Sequence, residues 1–154
     1  MPSYGYSVIG IDPDRTAIAS GRNMRVSPKQ CREVCNHIQG MMLDKAIDLL
    51  ELVIEEKAWI PYRRHRKKRG HHPGMKKWPA GGHPVKASEH ILKVLKNAEA
   101  NADSKGLDID RLRISHAATQ QGRTYKKYIE RAFGRSTPYF EKTSHVEIIL
   151  EEVG

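Results

Sequence analysis

The sequence predicts an α+β fold, and three observations carry that prediction. Three segments repeat apolar residues every three to four positions, two segments alternate them one by one, and two intervening stretches are basic and poor in core-sized side chains. Three helices packed on strands, with a long basic loop and a projecting β-hairpin, satisfy all three. At 154 residues the chain is long enough for one domain with a real core and too short for two of ordinary size.

Residues 1–16 are rich in Tyr, Gly, Asp and Pro without a period, which predicts an irregular leader, and a short strand follows over Ala17–Val26. A helix over 28–39 then starts sharply. Ser27 offers a hydroxyl cap, Pro28 takes the first helical position where its missing N–H costs nothing, and Gln30 completes an S-x-x-Q capping box. Cys31, Val34, Cys35 and Ile38 keep helical spacing and Gly40 supplies the stop. Leu43, Ala46, Ile47, Leu50, Val53 and Ile54 form the stripe of a second helix that ends before Pro61, with Asp44, Asp48, Glu51 and Glu55 on its flank.

Residues 59–85 place Pro61, Pro73, Pro79 and Pro84 among Gly70, Gly74, Gly81 and Gly82, which excludes a long regular element and predicts an extended loop. From Val85 the helical period returns through Ile91, Leu92, Leu95, Ala98 and Ala102, with Gly106 set for a left-handed cap and Leu107 able to fold back on it. Leu112 and Ile114 alternate with Arg113 and Ser115, and Val146, Ile148 and Leu150 with Glu147, Ile149 and Glu151; these two strands are natural antiparallel partners. Residues 117–144 between them are too many for a structureless loop, so the strands are expected to continue outward as a hairpin arm. At ~3.3 Å per residue, arms of about fourteen residues reach roughly 45 Å from the core strands.

Lys and Arg number 27 against 18 acids, a net charge of +9 that points toward a polyanion. The excess is concentrated. Arg63, Arg64, Arg66, Lys67, Lys68, Arg69, Lys76, Lys77 and Lys86 fall in a stretch without Asp or Glu, interleaved with His65, His71 and His72 and flanked by Tyr62 and Trp78. Arginine forks grip phosphate and aromatic rings stack on unpaired bases, so this mixture suits structured RNA better than a solvated charge run does. The arm repeats the pattern with Arg123, Tyr125, Lys126, Lys127, Tyr128, Arg131, Phe133 and Arg135. Arg22, Arg25, Lys29 and Arg32 surround the first helix start, where free N–H groups attract phosphate, although an ordinary solvated helix end accounts for them equally well. The loop and the arm are expected to order only on the RNA.

No window approaches the apolar length of a membrane span, and the N-terminus lacks the layout of a signal peptide, which predicts a soluble cytoplasmic protein. Cys31 and Cys35 fall on an apolar helix stripe, so core packing accounts for them better than zinc, and neither Cys31, Cys35 and His37 nor His71, His72 and His83 has the paired spacing of a metal site. Asn97, Glu99 and Asn101 look site-like, yet RNA contacts or a helix cap explain them. No nucleophile elbow, phosphate-cradling loop or paired carboxylate motif appears. The residues therefore predict a non-enzymatic RNA-binding protein with no cofactor, no metal and no small-molecule substrate. A free-standing regulatory RNA- or DNA-binding module and a metal-dependent nuclease are the alternatives.

Three stretches, GRNMRVSPKQCREVCNHIQG, KASEHILKVLKNAEANADSKGLDIDRLRI and HVEIILEE, resemble in order the large-subunit ribosomal protein family numbered twenty-two in bacteria and seventeen in eukaryotes. The resemblance runs from about Ala17 to Glu152. It implies three helices on a three-stranded antiparallel sheet, a hairpin lining the nascent-peptide exit tunnel, and contacts with large-subunit ribosomal RNA and neighbouring ribosomal proteins. It implies that Arg22, Arg25 and Lys29 contact RNA at the helix start and that Arg123 to Arg135 form the hairpin tip. The long 59–85 loop with its PYRR opening resembles archaeal and eukaryotic members, which favours an archaeal source. The tip sequence RTYKKYIERAFGRS departs from the bacterial one, so drug-contact roles do not carry over.

Overall fold

The computed structural model describes residues 5–75 and 78–154. Among them the order is β1 (Thr16–Met24), α1 (Pro28–Ile38), α2 (Leu43–Ile54), β2 (Ile60–Pro61), β3 (Gly81–Gly82), α3 (Val85–Ser104), a 3-10 turn (Ile109–Arg111), β4 (Leu112–Tyr125), β5 (Tyr128–Glu130), β6 (Ser136–Pro138) and β7 (Glu141–Glu152). β1, β7 and β4 form an antiparallel sheet in that order, with β7 central, as the α+β reading and the resemblance require.

The apolar stripes meet where their periods place them. Cys31, Val34, Cys35 and Ile38 of α1, Ala46, Leu50 and Val53 of α2, and Ile91, Leu95, Ala98 and Ala102 of α3 join Ala17, Ala19, Ile114, Val146, Ile148 and Leu150 of the sheet in one buried core. Backbone hydrogen bonds fix the registration: Gly40 N–H donates to the Ile114 carbonyl at 2.8 Å and Ile114 N–H to the Met41 carbonyl at 2.9 Å, tying the α1–α2 turn to β4. Asn101 donates from Nδ2 to the Ile18 carbonyl at 2.9 Å and ties α3 to β1, a structural task for a residue that looked site-like. α3 ends in a Schellman motif, with Gly106 at φ 75° and Leu107 N–H returning to the Ala102 carbonyl at 3.1 Å.

One local expectation is corrected and another is extended. Ser27 is the N-cap of α1, but its side chain makes no capping hydrogen bond and the S-x-x-Q box does not close. Ser27 is solvent-exposed, and its carbonyl accepts the Cys31 N–H at 3.0 Å while its hydroxyl leaves the helix start without a side-chain cap. The leader is irregular as expected, yet it is not a free tail. Glu147 and Ile149 point away from the helices but are only 3% and 2% exposed, because the leader crosses that face of the sheet. Ser7 donates from both N–H and hydroxyl to the Glu147 carboxylate, and Val8 and Ile11 share a cavity with His116 and Ile149.

β4 and β7 run on past the core as far as the Thr124–Lys142 and Tyr125–Glu141 pairs, and β5 with β6 extends the ribbon beyond Lys126 and Lys127. This is the projecting hairpin. Its turn is closed by the Arg135 N–H to the Ala132 carbonyl, with Phe133 and Gly134 both at positive φ (59° and 67°), the mirror-image pattern that fits strand twist. Every residue from 126 to 140 is exposed, including Phe133 at 94%.

Candidate nucleic-acid interface

The basic loop contains no long regular element, but it is folded back rather than extended, and its contacts come from its own body. Its ends pair as β2 and β3, and His71 bridges to Ala80. Tyr62 is 1% exposed, its ring lies under the Arg69 guanidinium at 4.2 Å, and its carbonyl accepts the Trp78 indole N–H at 2.8 Å. Trp59 stacks on His72 and meets His83 at a tilt, with centroids 4.2 and 4.3 Å away, while His72 and His83 bond the Gly81 and Ala58 carbonyls at 3.0 and 2.6 Å. These histidines are structural. The expectation that the loop gains all its order from RNA is thereby corrected: apolar and aromatic anchors at Ile60, Tyr62, Trp59 and Trp78 close it from within.

The strongest anchor is an acid from outside the loop. Glu33 on α1 is 1% exposed, and its carboxylate accepts the N–H groups of Arg63, Arg64 and His65 at 2.9, 3.0 and 2.7 Å. A buried carboxylate is tolerated when several donors satisfy it. As a result the loop sits against the start of α1, and one groove is lined by Ser27, Lys29 and Gln30 from the helix and by Arg64, His65, Lys67 and Arg69 from the loop. Two clusters that were separate in the sequence share one surface.

Ser27 and Lys29 also border a second groove, completed by Arg25, Lys86, Gln121, Phe140, Glu141 and Lys142. The cationic surface therefore continues from the loop, across the start of α1, to the base of the hairpin. There the Tyr125 ring is approached by both Arg25 and Arg123, whose guanidinium carbons are 5.5 and 5.7 Å from its centroid. Glu141, an acid in this basic setting, is partnered by Lys127 at 2.6 Å and Arg25 at 3.8 Å. The Lys127 hydrogen bond above all, then the nearby cations, hold its carboxyl below the usual value.

Arg22 and Arg123 open on a different groove, with Ser7, Asn23, Gln120 and His145, on the leader side. Arg32 is exposed on α1 but borders neither basic groove described above. Arg63 faces a cavity with His37, Trp59, Met75 and Trp78, and burial followed by the Arg63 charge lowers the His37 pKa. Arg66 lies 5.9 Å from the Trp78 ring, and Lys68 is exposed in a left-handed conformation at φ 59°. Lys126, Arg131 and Arg135 are exposed along the outer hairpin, where Arg131 donates to the Thr137 hydroxyl at 3.3 Å. Lys76 and Lys77 lie outside the described residues.

Sequence reasoning missed Glu33, Gln121 and Lys142. Glu33 borders the apolar stripe of α1, and an acid at such a position is the available signal that a donor set must come to it. The thiols of Cys31 and Cys35 are buried, and burial pushes them up to about 11 and about 12, which keeps them protonated and poor as metal ligands. Among the described residues no group of three or more His, Cys, Asp or Glu is arranged to hold a metal ion. No helix among them is long and apolar enough to cross a membrane.

The family model described as "Ribosomal protein L22p/L17e" matches residues 19–151. The chain is 51% identical over 144 residues to the large ribosomal subunit protein uL22 of Methanocaldococcus jannaschii, covering 94% of this chain and 92% of that protein. It is 49% identical over 143 residues to the protein of the same name from Methanopyrus kandleri, covering 92% and 90%. For the one from Archaeoglobus fulgidus the figures are 44% over 151 residues, covering 98% and 97%.

Proposed function

We propose a ribosomal-RNA-binding role from one premise: the chain belongs to the ribosomal protein L22p/L17e family, as an archaeal-type member. The family consists of structural proteins of the large ribosomal subunit and not of enzymes. In this reading the protein is a cytoplasmic constituent of that subunit. It binds large-subunit ribosomal RNA through the surface that joins Arg64, Lys67 and Arg69 to Lys29, Arg25, Lys86 and Lys142. Arg63, Arg66, Lys68 and Trp78 of the same loop add to the contact, as do Arg22 and Arg32 outside the two grooves, and Arg123, Tyr125, Lys126, Lys127, Arg131 and Arg135 carry it out along the hairpin; Lys76 and Lys77 belong to this reading on their sequence alone.

One observation supports this reading most: the cations of the loop and of the α1 start border a common groove, with the N-terminus of α1, capped by no side chain, beside them. Such a surface neutralises phosphate and fits shape without reading base sequence. The hairpin, exposed on every side from residue 126 to 140, is too slender to hold a conformation against water alone and suits a channel walled by RNA, the exit tunnel. Its exposed Tyr128, Ile129, Phe133 and Tyr139 offer apolar contacts to neighbouring ribosomal proteins or a nascent peptide there.

The test is co-sedimentation. The protein is expected to stay stoichiometric with large subunits after a high-salt wash, and R64E/K67E/K68E to weaken incorporation and slow subunit assembly while its helical circular dichroism is unchanged. Incorporation of the triple variant at the wild-type level would refute the loop's role. Release at high salt into a messenger-RNA fraction would point to a regulator instead.

A further inference from the structure

We infer that Glu33 is a positioning residue for RNA recognition, a carboxylate that holds the basic loop in its binding shape before any RNA arrives. The inference rests on the RNA-binding reading above. Both carboxylate oxygens are engaged: Oε2 accepts from Arg63 N–H at 2.9 Å, and Oε1 from Arg64 and His65 N–H at 3.0 and 2.7 Å. Three consecutive N–H groups converging on one point form a cradle for an anion. Here the protein's own acid fills it.

The consequence for the side chains is geometric. With the backbone of 63–65 turned inward onto Glu33, the Arg63 and Arg64 side chains point out and are exposed. Phosphate is thus directed to guanidinium forks rather than to the main chain. Glu33 and Lys29 sit four positions apart on the same helix, so one rigid element sets the spacing between Lys29 and Arg64 across the shared groove. Without the carboxylate, the like charges from Arg63 to Arg69 repel one another with no opposing charge beneath them, and this basic segment, still anchored at Tyr62 and Trp78, spreads over more shapes of which fewer bind. Apparent affinity falls in proportion to the binding-competent fraction.

Full-length wild-type, Glu33→Gln and Arg64→Gln proteins are compared for amide hydrogen exchange and for affinity to transcribed large-subunit ribosomal RNA over a salt series. In the wild type the amides of Arg63, Arg64 and His65 are expected to be protected. E33Q keeps one acceptor oxygen but turns an amide donor toward the remaining N–H, so protection of Arg63 should vanish and that of Arg64 and His65 should fall, while that of α1 to α3 and the sheet persists. Affinity should drop about tenfold at fixed salt. The log–log salt slope should not change, since every cation that meets phosphate is still present, whereas R64Q should make it shallower by about 0.7–0.9.

Protected amides with undiminished E33Q affinity would overturn the positioning role alone. Protected amides in a wild type that ignores the RNA would overturn the RNA-binding reading and the positioning role together. If E33Q fails to fold, exchange in the wild type decides: amides of 63–65 exchanging as in an unstructured peptide would sink the clamp.

Discussion

Two buried acids, Glu33 and Glu147, show how much this fold delegates to single carboxylates. Glu147 is 3% exposed and accepts from Ser7, His116 and Gln120. Burial alone would raise its pKa, but these hydrogen bonds outweigh it and leave it below the ordinary 4.5. A lowered folded-state value contributes stability that is fully present above the unfolded pKa and is lost as pH falls through the folded one. The leader should therefore stay docked at neutral pH and detach in acid below 4.5, and Glu147→Gln should remove that pH dependence. Titration of the Ser7 amide shift by NMR reads both; a leader that detaches near pH 6 would contradict the assignment. Cys31 and Cys35, pushed up to about 11 and about 12 by burial, should resist alkylation at pH 8 in the native protein and react once it is unfolded in denaturant. Rapid native labelling would mean that α1 opens locally. Of these four residues only the cysteines were legible, because a stripe predicts burial directly. A buried acid's partners are backbone N–H groups far away in the chain, and no local pattern encodes them.

The elements themselves were legible wherever a hydrophobic period and a terminator agreed. α1 spans 28–38 against an expected 28–39, and α2 and α3 begin where their stripes begin, because Pro28, Gly40 and Gly106 punctuate stripes that face a single core. The capping box misled because an S-x-x-Q pattern specifies a possible hydrogen bond, not its formation. Alternation correctly assigned Glu147 and Ile149 to the outer face but left open what covers it, since the leader that does so has no period of its own. The hairpin was legible from length alone: two strands and about thirty intervening residues leave few other arrangements. Its independence from the core is testable. Replacing residues 126–140 with an Asn-Gly turn, next to the Tyr125–Glu141 pair, should change stability by less than about 1 kcal/mol, or roughly 3 °C in Tm for a chain of this size. Cooperative loss of the helical circular dichroism signal at a much lower temperature would show that the arm supports the core.

At the scale of the whole molecule, charge forecasts the partner class and the fold supplies the surface. A net charge of +9 was evident from composition, but a groove shared by loop and helix was not, because the segments that border it are separated by about thirty residues and joined through Glu33. The basic surface combines Arg25, Lys29, Arg64, Lys67 and Lys86, so substituting any one of them for Gln should weaken binding modestly and make the salt slope shallower by about 0.7–0.9 for each phosphate that the variant leaves without its cation. Equal slopes across all five variants and the wild type would mean that this surface meets no phosphate. The most direct measurement is a density map of the large subunit that contains this chain. The account predicts ribosomal RNA phosphates within hydrogen-bonding distance of Lys29, Arg64 and Lys67 in their common groove, with the 126–140 ribbon inside the exit tunnel. A map in which that groove faces solvent and the ribbon lies on the outer surface would contradict it.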